Sequence, residues 1–68
     1  MASPYTTVTF IDAEGDEFPV RVWGTFTTGE RRELMAAARS RLDEFVAAGE
    51  LRPTEPVREE RIEGLWQV

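Results

Sequence analysis

Residues Thr27–Gly49, TTGERRELMAAARSRLDEFVAAG, form the stretch that decides the fold. The spacing of Thr27 and Glu30 is typical of a capping box at a helix start, and Gly49 can end a helix in the left-handed conformation. At 100° per residue, the apolar side chains fall within an arc of roughly 120°: Leu34, Met35, Ala38, Leu42, Phe45 and Val46. We therefore expect an amphipathic helix over about residues 28–48, with this stripe facing the core.

Two segments rich in β-branched and aromatic residues precede the helix, and they predict strands over about residues 5–12 and 17–26. If Asp12 pairs with Asp16, the loop between them ends in Gly15, which is the geometry of a type I turn followed by a glycine bulge. The same register pairs apolar side chains across the hairpin: Phe10 with Phe18 and Val8 with Val20. Because Pro19 has no amide proton, we expect the second strand at a sheet edge.

The C-terminal segment VREERIEGLWQV, residues 57–68, is ambiguous. Residues 55–63 fit a strand, a loop, or a short helix capped by Thr54, whereas Ile62, Trp66 and Val68 would share one face of a strand. We expect a strand over about residues 61–68, and a right-handed crossover through the helix would place it beside the first strand. The expected fold is α+β, a single small domain over residues 1–68 with ββαβ order, sheet order 2-1-3 and one helix on one face.

Composition limits the chemistry that the chain can perform. It has 68 residues, no cysteine and no histidine, so it lacks thiolates, the commonest metal ligand and the usual general base. Four acids cluster at the hairpin tip without the ligand spacing of a calcium loop: Asp12, Glu14, Asp16 and Glu17. We interpret them as a solvated turn, and we expect no catalytic activity, no cofactor and no metal site.

Charge and hydropathy indicate the cellular compartment of the protein and the class of partner that it binds. Thirteen acids against eight bases give a net charge of −5, which disfavours direct binding to nucleic acid and favours a basic partner. There is no long apolar run and no signal-peptide pattern, so we expect a cytoplasmic protein that does not contact a membrane. Every base is arginine, and lysine and asparagine are absent, which suggests a GC-rich bacterial or phage genome.

The sheet face that the helix leaves uncovered is the most informative feature for function. One helix can cover one face only, and no second helix is predicted. Tyrosine, tryptophan and arginine are enriched at binding hot spots, although an antiparallel sheet can also leave one face in water. We predict that this open face binds a partner through a set of mostly apolar side chains: Tyr5, Ile11, Arg21, Trp23 and Leu65.

Two segments, TVTFIDAEGDEFPVRV at 7–22 and TFTTGERRELMAAARSRLDEFVAAGELRPTEP at 25–56, together resemble the N-terminal domain of HicB-type antitoxins. Shared features are a hairpin tipped by acids and glycine, a helix opened by a Thr-x-x-Glu step, and a Gly…Pro…Pro exit. The family's Leu-Pro-Gly step between strands two and three is missing, and these residues contain no separate DNA-binding domain. The resemblance implies a small basic RNA-cleaving toxin as partner, neutralised by occlusion.

We therefore expect a small acidic protein-interaction module that binds and inhibits a basic, nucleic-acid-binding protein. One alternative is a phage-encoded inhibitor of a host system, such as an anti-CRISPR protein that presents carboxylates as a phosphate mimic. A second alternative, from a different class, is a homodimeric structural or accessory subunit whose open sheet faces pack together. Direct DNA binding through the helix arginines is a weaker alternative.

Overall fold

The structure, a computed structural model, describes residues 4–66, without the side chains of Glu60 and Trp66. The elements run β1 (Tyr5–Ile11), β2 (Glu17–Trp23), β3 (Phe26–Thr27), a 3₁₀ turn (Thr28–Glu30), α1 (Arg31–Ala47), β4 (Arg58–Glu63) and β5 (Leu65–Trp66). Three strands form an antiparallel sheet of order β2-β1-β4, and β3 and β5 form a separate parallel pair. This is the predicted α+β fold with one helix and sheet order 2-1-3.

The hairpin between β1 and β2 has the predicted register and turn. Phe10 lies opposite Phe18. The Gly15 amide donates to the Asp12 carbonyl, the Asp12 amide donates to the Asp16 carbonyl, and Gly15 has φ +87°. These are the bonds of a type I turn followed by a glycine bulge, in which only glycine adopts a positive φ without strain.

The position of β2 at the sheet edge explains how Pro19 is accommodated. Hydrogen-bonded and non-hydrogen-bonded pairs alternate along an antiparallel ladder. Since Asp12 and Asp16 exchange a backbone bond, Pro19 and its partner Thr9 form a non-hydrogen-bonded pair. The Pro19 nitrogen therefore faces the free edge, where no ladder bond is lost and where an incoming strand would find no donor.

The helix packs on one face of the sheet and closes the core, as the spacing predicted. Thr27 precedes the 3₁₀ turn, and its amide and hydroxyl both donate to Glu30 Oε1, at 3.1 and 3.0 Å. The core joins three helix residues to four sheet residues: Leu34, Ala38, Leu42, Val8, Phe10, Val20 and Val22. Val46 ends the predicted stripe but is 42% exposed, so it lies outside the buried core. Within residues 4–66, no helix is long and apolar enough to span a membrane.

Two glycines break strands that the sequence predicted as continuous. The second strand, expected over about 17–26, ends at Trp23, because Gly24 has φ +109° and its carbonyl accepts a bond from the Thr6 hydroxyl. The last strand, expected over about 61–68, begins at Arg58 and is interrupted by Gly64, with φ +93°. A Cβ on Gly64 would lie 3.3 Å from the Tyr5 carbonyl oxygen. The expected end of that strand, residues 67–68, lies outside the described residues.

The connector between α1 and β4 is fastened to the hairpin tip by Asp12. This side chain is 5% exposed, so the expectation that it lies on a solvated turn is wrong. Its Oδ1 accepts bonds from the Glu14 and Asp16 amides, and its Oδ2 accepts one from the Thr54 amide, each at 2.9 Å. The Ala13 amide in turn donates to the Thr54 carbonyl. A carboxylate is buried here because each of its oxygens is hydrogen-bonded.

Candidate protein-interaction surface

The open face carries a compact group of three side chains at one end, which we call the Trp23 cluster: Tyr5, Arg21 and Trp23. Strand alternation places all three on the face opposite the helix, and Tyr5 and Trp23 are direct cross-strand partners. Their rings meet edge to face, with centroids 4.8 Å apart and planes at 85°. Such a pair contributes about 0.5–1.5 kcal/mol beyond the area that it buries.

Arg21 completes the cluster through a cation–π contact. Its guanidinium carbon lies 5.6 Å from the centroid of the Tyr5 ring, diagonally across the two strands. No carboxylate pairs with Arg21 in the part of the chain that the structure describes. The Tyr5 ring is therefore held from two sides, by the edge-to-face contact with Trp23 and by the Arg21 cation.

Trp23 remains exposed despite these contacts. Its exposed fraction is 70%, against 36% for Tyr5. Single apolar side chains on a protein surface are common, but an exposed indole supported by an ordered tyrosine and arginine is the composition of a binding hot spot. Among the large apolar side chains that the structure describes, Trp23 thus has the largest exposed fraction to offer a partner.

The middle of the open face carries charged side chains that form ion pairs with one another. Arg61 lies on β4 opposite Thr9 of β1, and its guanidinium pairs with Glu17 of β2 at 3.1 Å and with Glu63 of β4 at 3.3 Å. Since β1 separates β2 from β4, the Arg61 side chain spans the central strand. Thr9 is accordingly only 3% exposed, although it faces away from the helix. The sequence analysis did not anticipate this bridge, which depends on the cross-strand register of β4.

The five predicted partner-binding residues do not form one patch. Ile11 is half-buried on the open face at the opposite end of β1, about 20 Å from Tyr5 at the usual rise of an extended chain. The placement of Leu65 on this face is wrong. Leu65 is half-buried, pairs with Phe26 and packs against the core, because Gly64 turns the chain away from the sheet. Tyr5, Arg21 and Trp23 are the members that the structure brings together.

The carboxyl of Asp12, at the acidic hairpin tip, has a lowered pKa. The Thr54 amide, which is the strongest influence, lowers the pKa of Asp12; the amides of the tip itself also lower it, while desolvation opposes them. Glu14 and Asp16 are exposed. Among the described residues, no three acidic side chains lie close enough together to hold a metal ion.

Two shallow depressions lie elsewhere on the surface. One, at the start of the helix, is open to solvent and is lined by Thr28, Gly29, Arg31, Arg32, Glu33 and Met35. The other, between the end of α1 and the edge of β2, is lined by Pro19, Phe45, Glu50 and Leu51. Both depressions are open to solvent.

No protein-family model, no curated protein and no solved structure matched the chain.

Proposed function

We propose that this chain is a protein-interaction module that binds and inhibits a basic, nucleic-acid-binding protein, in the manner of an antitoxin or a phage-encoded inhibitor. The observation that carries the proposal is Trp23, 70% exposed on a sheet face that no helix covers and held at right angles against Tyr5. The resemblance to HicB-type antitoxins is compatible with this proposal, and a phage-encoded inhibitor of a host system would use the same surface.

Preorganisation makes the Trp23 cluster an efficient anchor. Ordering a flexible side chain at an interface costs about 0.5–1.5 kcal/mol. In the free protein, the Tyr5 ring already contacts both the Trp23 ring and the Arg21 guanidinium. Much of that ordering cost is therefore met during folding, and more of the contact energy is available for association.

The charge distribution supports a basic partner and disfavours nucleic acid. The net charge of −5 repels phosphates and attracts cations over several ångströms. Three of the four helix arginines are engaged by carboxylates: Arg31 by Glu59, Arg39 by Asp43 and Glu55, and Arg41 by Glu44. A phosphate would have to displace these pairs.

The charged middle of the open face disfavours the homodimeric alternative. Packing two open faces together would bury Arg61, Glu17 and Glu63 of each copy, and desolvating ion pairs costs as much as their attraction returns. A partner that docks at the Trp23 end leaves this bridge in water. The geometry thus supports a heteromeric contact centred on one end of the sheet.

The test is capture of a partner by the chain and by two variants, Trp23→Ala and Arg21→Ala. The product of the neighbouring gene is the first protein to co-express, and its binding or cleavage of nucleic acid is measured with and without the chain. Each variant should weaken capture and inhibition at least tenfold while circular dichroism shows that the fold is retained. Val46→Ala, a change at an exposed aliphatic side chain on the helix, should leave both capture and inhibition unchanged.

Two results would contradict the proposal. Capture that survives both substitutions would show that the partner does not use the Trp23 cluster. Light scattering that finds a tight dimer, broken by Trp23→Ala, would instead favour the homodimeric subunit.

A further inference from the structure

Arginines of the chain already occupy the faces of two partly exposed aromatic rings. The Arg21 guanidinium carbon lies 5.6 Å from the Tyr5 centroid, and that of Arg41 lies 5.1 Å from the Phe45 centroid. Among the side chains that the structure describes, none of the arginines lies over the ring of Trp23, although this ring is the most exposed. Within the described part of the chain, arginines therefore cover the rings of Tyr5 and Phe45 and leave the indole of Trp23 uncovered.

Indole is the preferred aromatic partner for a cation, ahead of the rings of tyrosine and phenylalanine. The net charge of −5 raises the concentration of cationic groups around the protein. Arg21 already lies over the Tyr5 ring, so Trp23 is the more accessible of the two rings for a further cation.

We infer that the indole face of Trp23 is a docking site for an arginine or lysine side chain of the basic partner. This inference rests on the proposed function and names the contact at its centre. The cation stacks on the indole face, and the net negative charge of the whole chain favours a cationic ligand over an anionic one. Recognition then requires a ligand that is both positively charged and flat or flexible enough to lie on the ring.

The probes that test this inference are two labelled peptides, hexa-arginine and hexa-citrulline. Citrulline has nearly the shape of arginine without its charge, so the pair separates a cation–π contact from apolar packing. Binding of each peptide to the full chain is measured by fluorescence anisotropy at low salt, for the wild type, Trp23→Leu, Trp23→Phe and Val46→Ala. Trp23→Leu keeps an apolar side chain but removes the ring.

We expect Trp23→Leu to weaken hexa-arginine binding about two- to fivefold, the range for an exposed cation–π contact. Trp23→Phe should lose less affinity for hexa-arginine than Trp23→Leu, and Val46→Ala should bind this peptide as the wild type does. The wild type should bind hexa-citrulline more weakly than hexa-arginine, and Trp23→Leu should not reduce hexa-citrulline binding further.

Two outcomes would overturn the inference. Equal binding of hexa-arginine by the wild type and Trp23→Leu would mean that the acidic surface attracts the peptide without the indole. An equal loss for both peptides on Trp23→Leu would point to an apolar or proline-rich ligand instead. These peptide measurements do not require the partner, so they test the cation–π contact separately from the proposed function. If the peptide results contradict the inference while Trp23→Ala still abolishes partner capture, the cation–π contact is wrong and the proposed function stands.

Discussion

The Asp12 carboxylate and the Thr54 amide are joined by a 2.9 Å hydrogen bond, although 42 positions separate them in the chain. Thr54 belongs to the connector that brings the chain from α1 to β4. The bond therefore fixes where the connector passes the hairpin tip, and with it the point at which β4 enters the sheet beside β1.

Asp12→Asn should destabilise the fold. Both carboxylate oxygens accept backbone bonds, and an asparagine side chain has only one acceptor, so either the tip amides or the Thr54 amide would lose a partner. The thermal unfolding midpoint should fall by several degrees. Asp16→Asn is the matched control, because the Asp16 side chain is exposed, and it should leave the midpoint nearly unchanged.

Acid should remove the stabilisation that Asp12 provides. The pKa of Asp12 in the folded chain lies below its ordinary value of 3.8, chiefly because the Thr54 amide donates to the ionised form. A lowered folded pKa gives a contribution that is complete above the ordinary pKa and is lost as the pH falls through the folded pKa. Urea midpoints measured from neutral to acid pH should show this loss in the wild type and a smaller one in Asp12→Asn. Parallel acid profiles for the two proteins would contradict the assignment.

Gly64→Ala should lower the free energy of unfolding more than Gly49→Ala does. Both glycines have positive φ, +93° and +77°, which costs an ordinary L-residue about 1–2 kcal/mol. A Cβ at position 49 meets no atom within 4 Å, whereas one at position 64 lies 3.3 Å from the Tyr5 carbonyl oxygen. Chemical denaturation should show a larger loss in the free energy of unfolding for Gly64→Ala. Gly49→Ala should lose only the free energy that an alanine needs to adopt a positive φ. Equal losses would mean that the Tyr5 backbone yields freely.

Leu42→Ala should leave most of the chain unfolded, whereas Val46→Ala, one turn later, should be nearly neutral. Leu42 is fully buried in the core, and truncating such a leucine costs about 2–5 kcal/mol. A single core in a chain of this size rarely supplies more than about 3–5 kcal/mol in total. Circular dichroism and urea denaturation measure both variants. If Leu42→Ala instead unfolds cooperatively in urea with a midpoint near that of the wild type, contacts other than those of Leu42 hold the helix on the sheet.

Local patterns were sufficient for most of the architecture. The alternation along β1 and β2, with Gly15 at the turn, predicted the observed pairing of Phe10 with Phe18. The helical period and the Thr27–Glu30 step predicted the helix and its buried face. These features have a short range, since each depends on the geometry of a few consecutive residues.

The candidate surface was predicted only in part. The cross-strand pair of Tyr5 and Trp23 follows from the hairpin register, and so does the position of Arg21 beside it. Leu65 was misplaced because the sequence does not reveal that the Gly64 backbone approaches Tyr5 and turns the chain out of the sheet. Ile11 was assigned to the right face, but a shared face says nothing about distance along the strand.

The sequence by itself therefore determined the elements, their order and the composition of the face that the helix leaves open, because periodicity and turn chemistry act within a few residues. Only the tertiary structure decided which of those side chains meet. It buried Asp12 against Thr54 and drew Arg61 across β1 to Glu17. These contacts join residues far apart in the chain, so they exist only after the β4 register and the connector path are set by packing of the whole core.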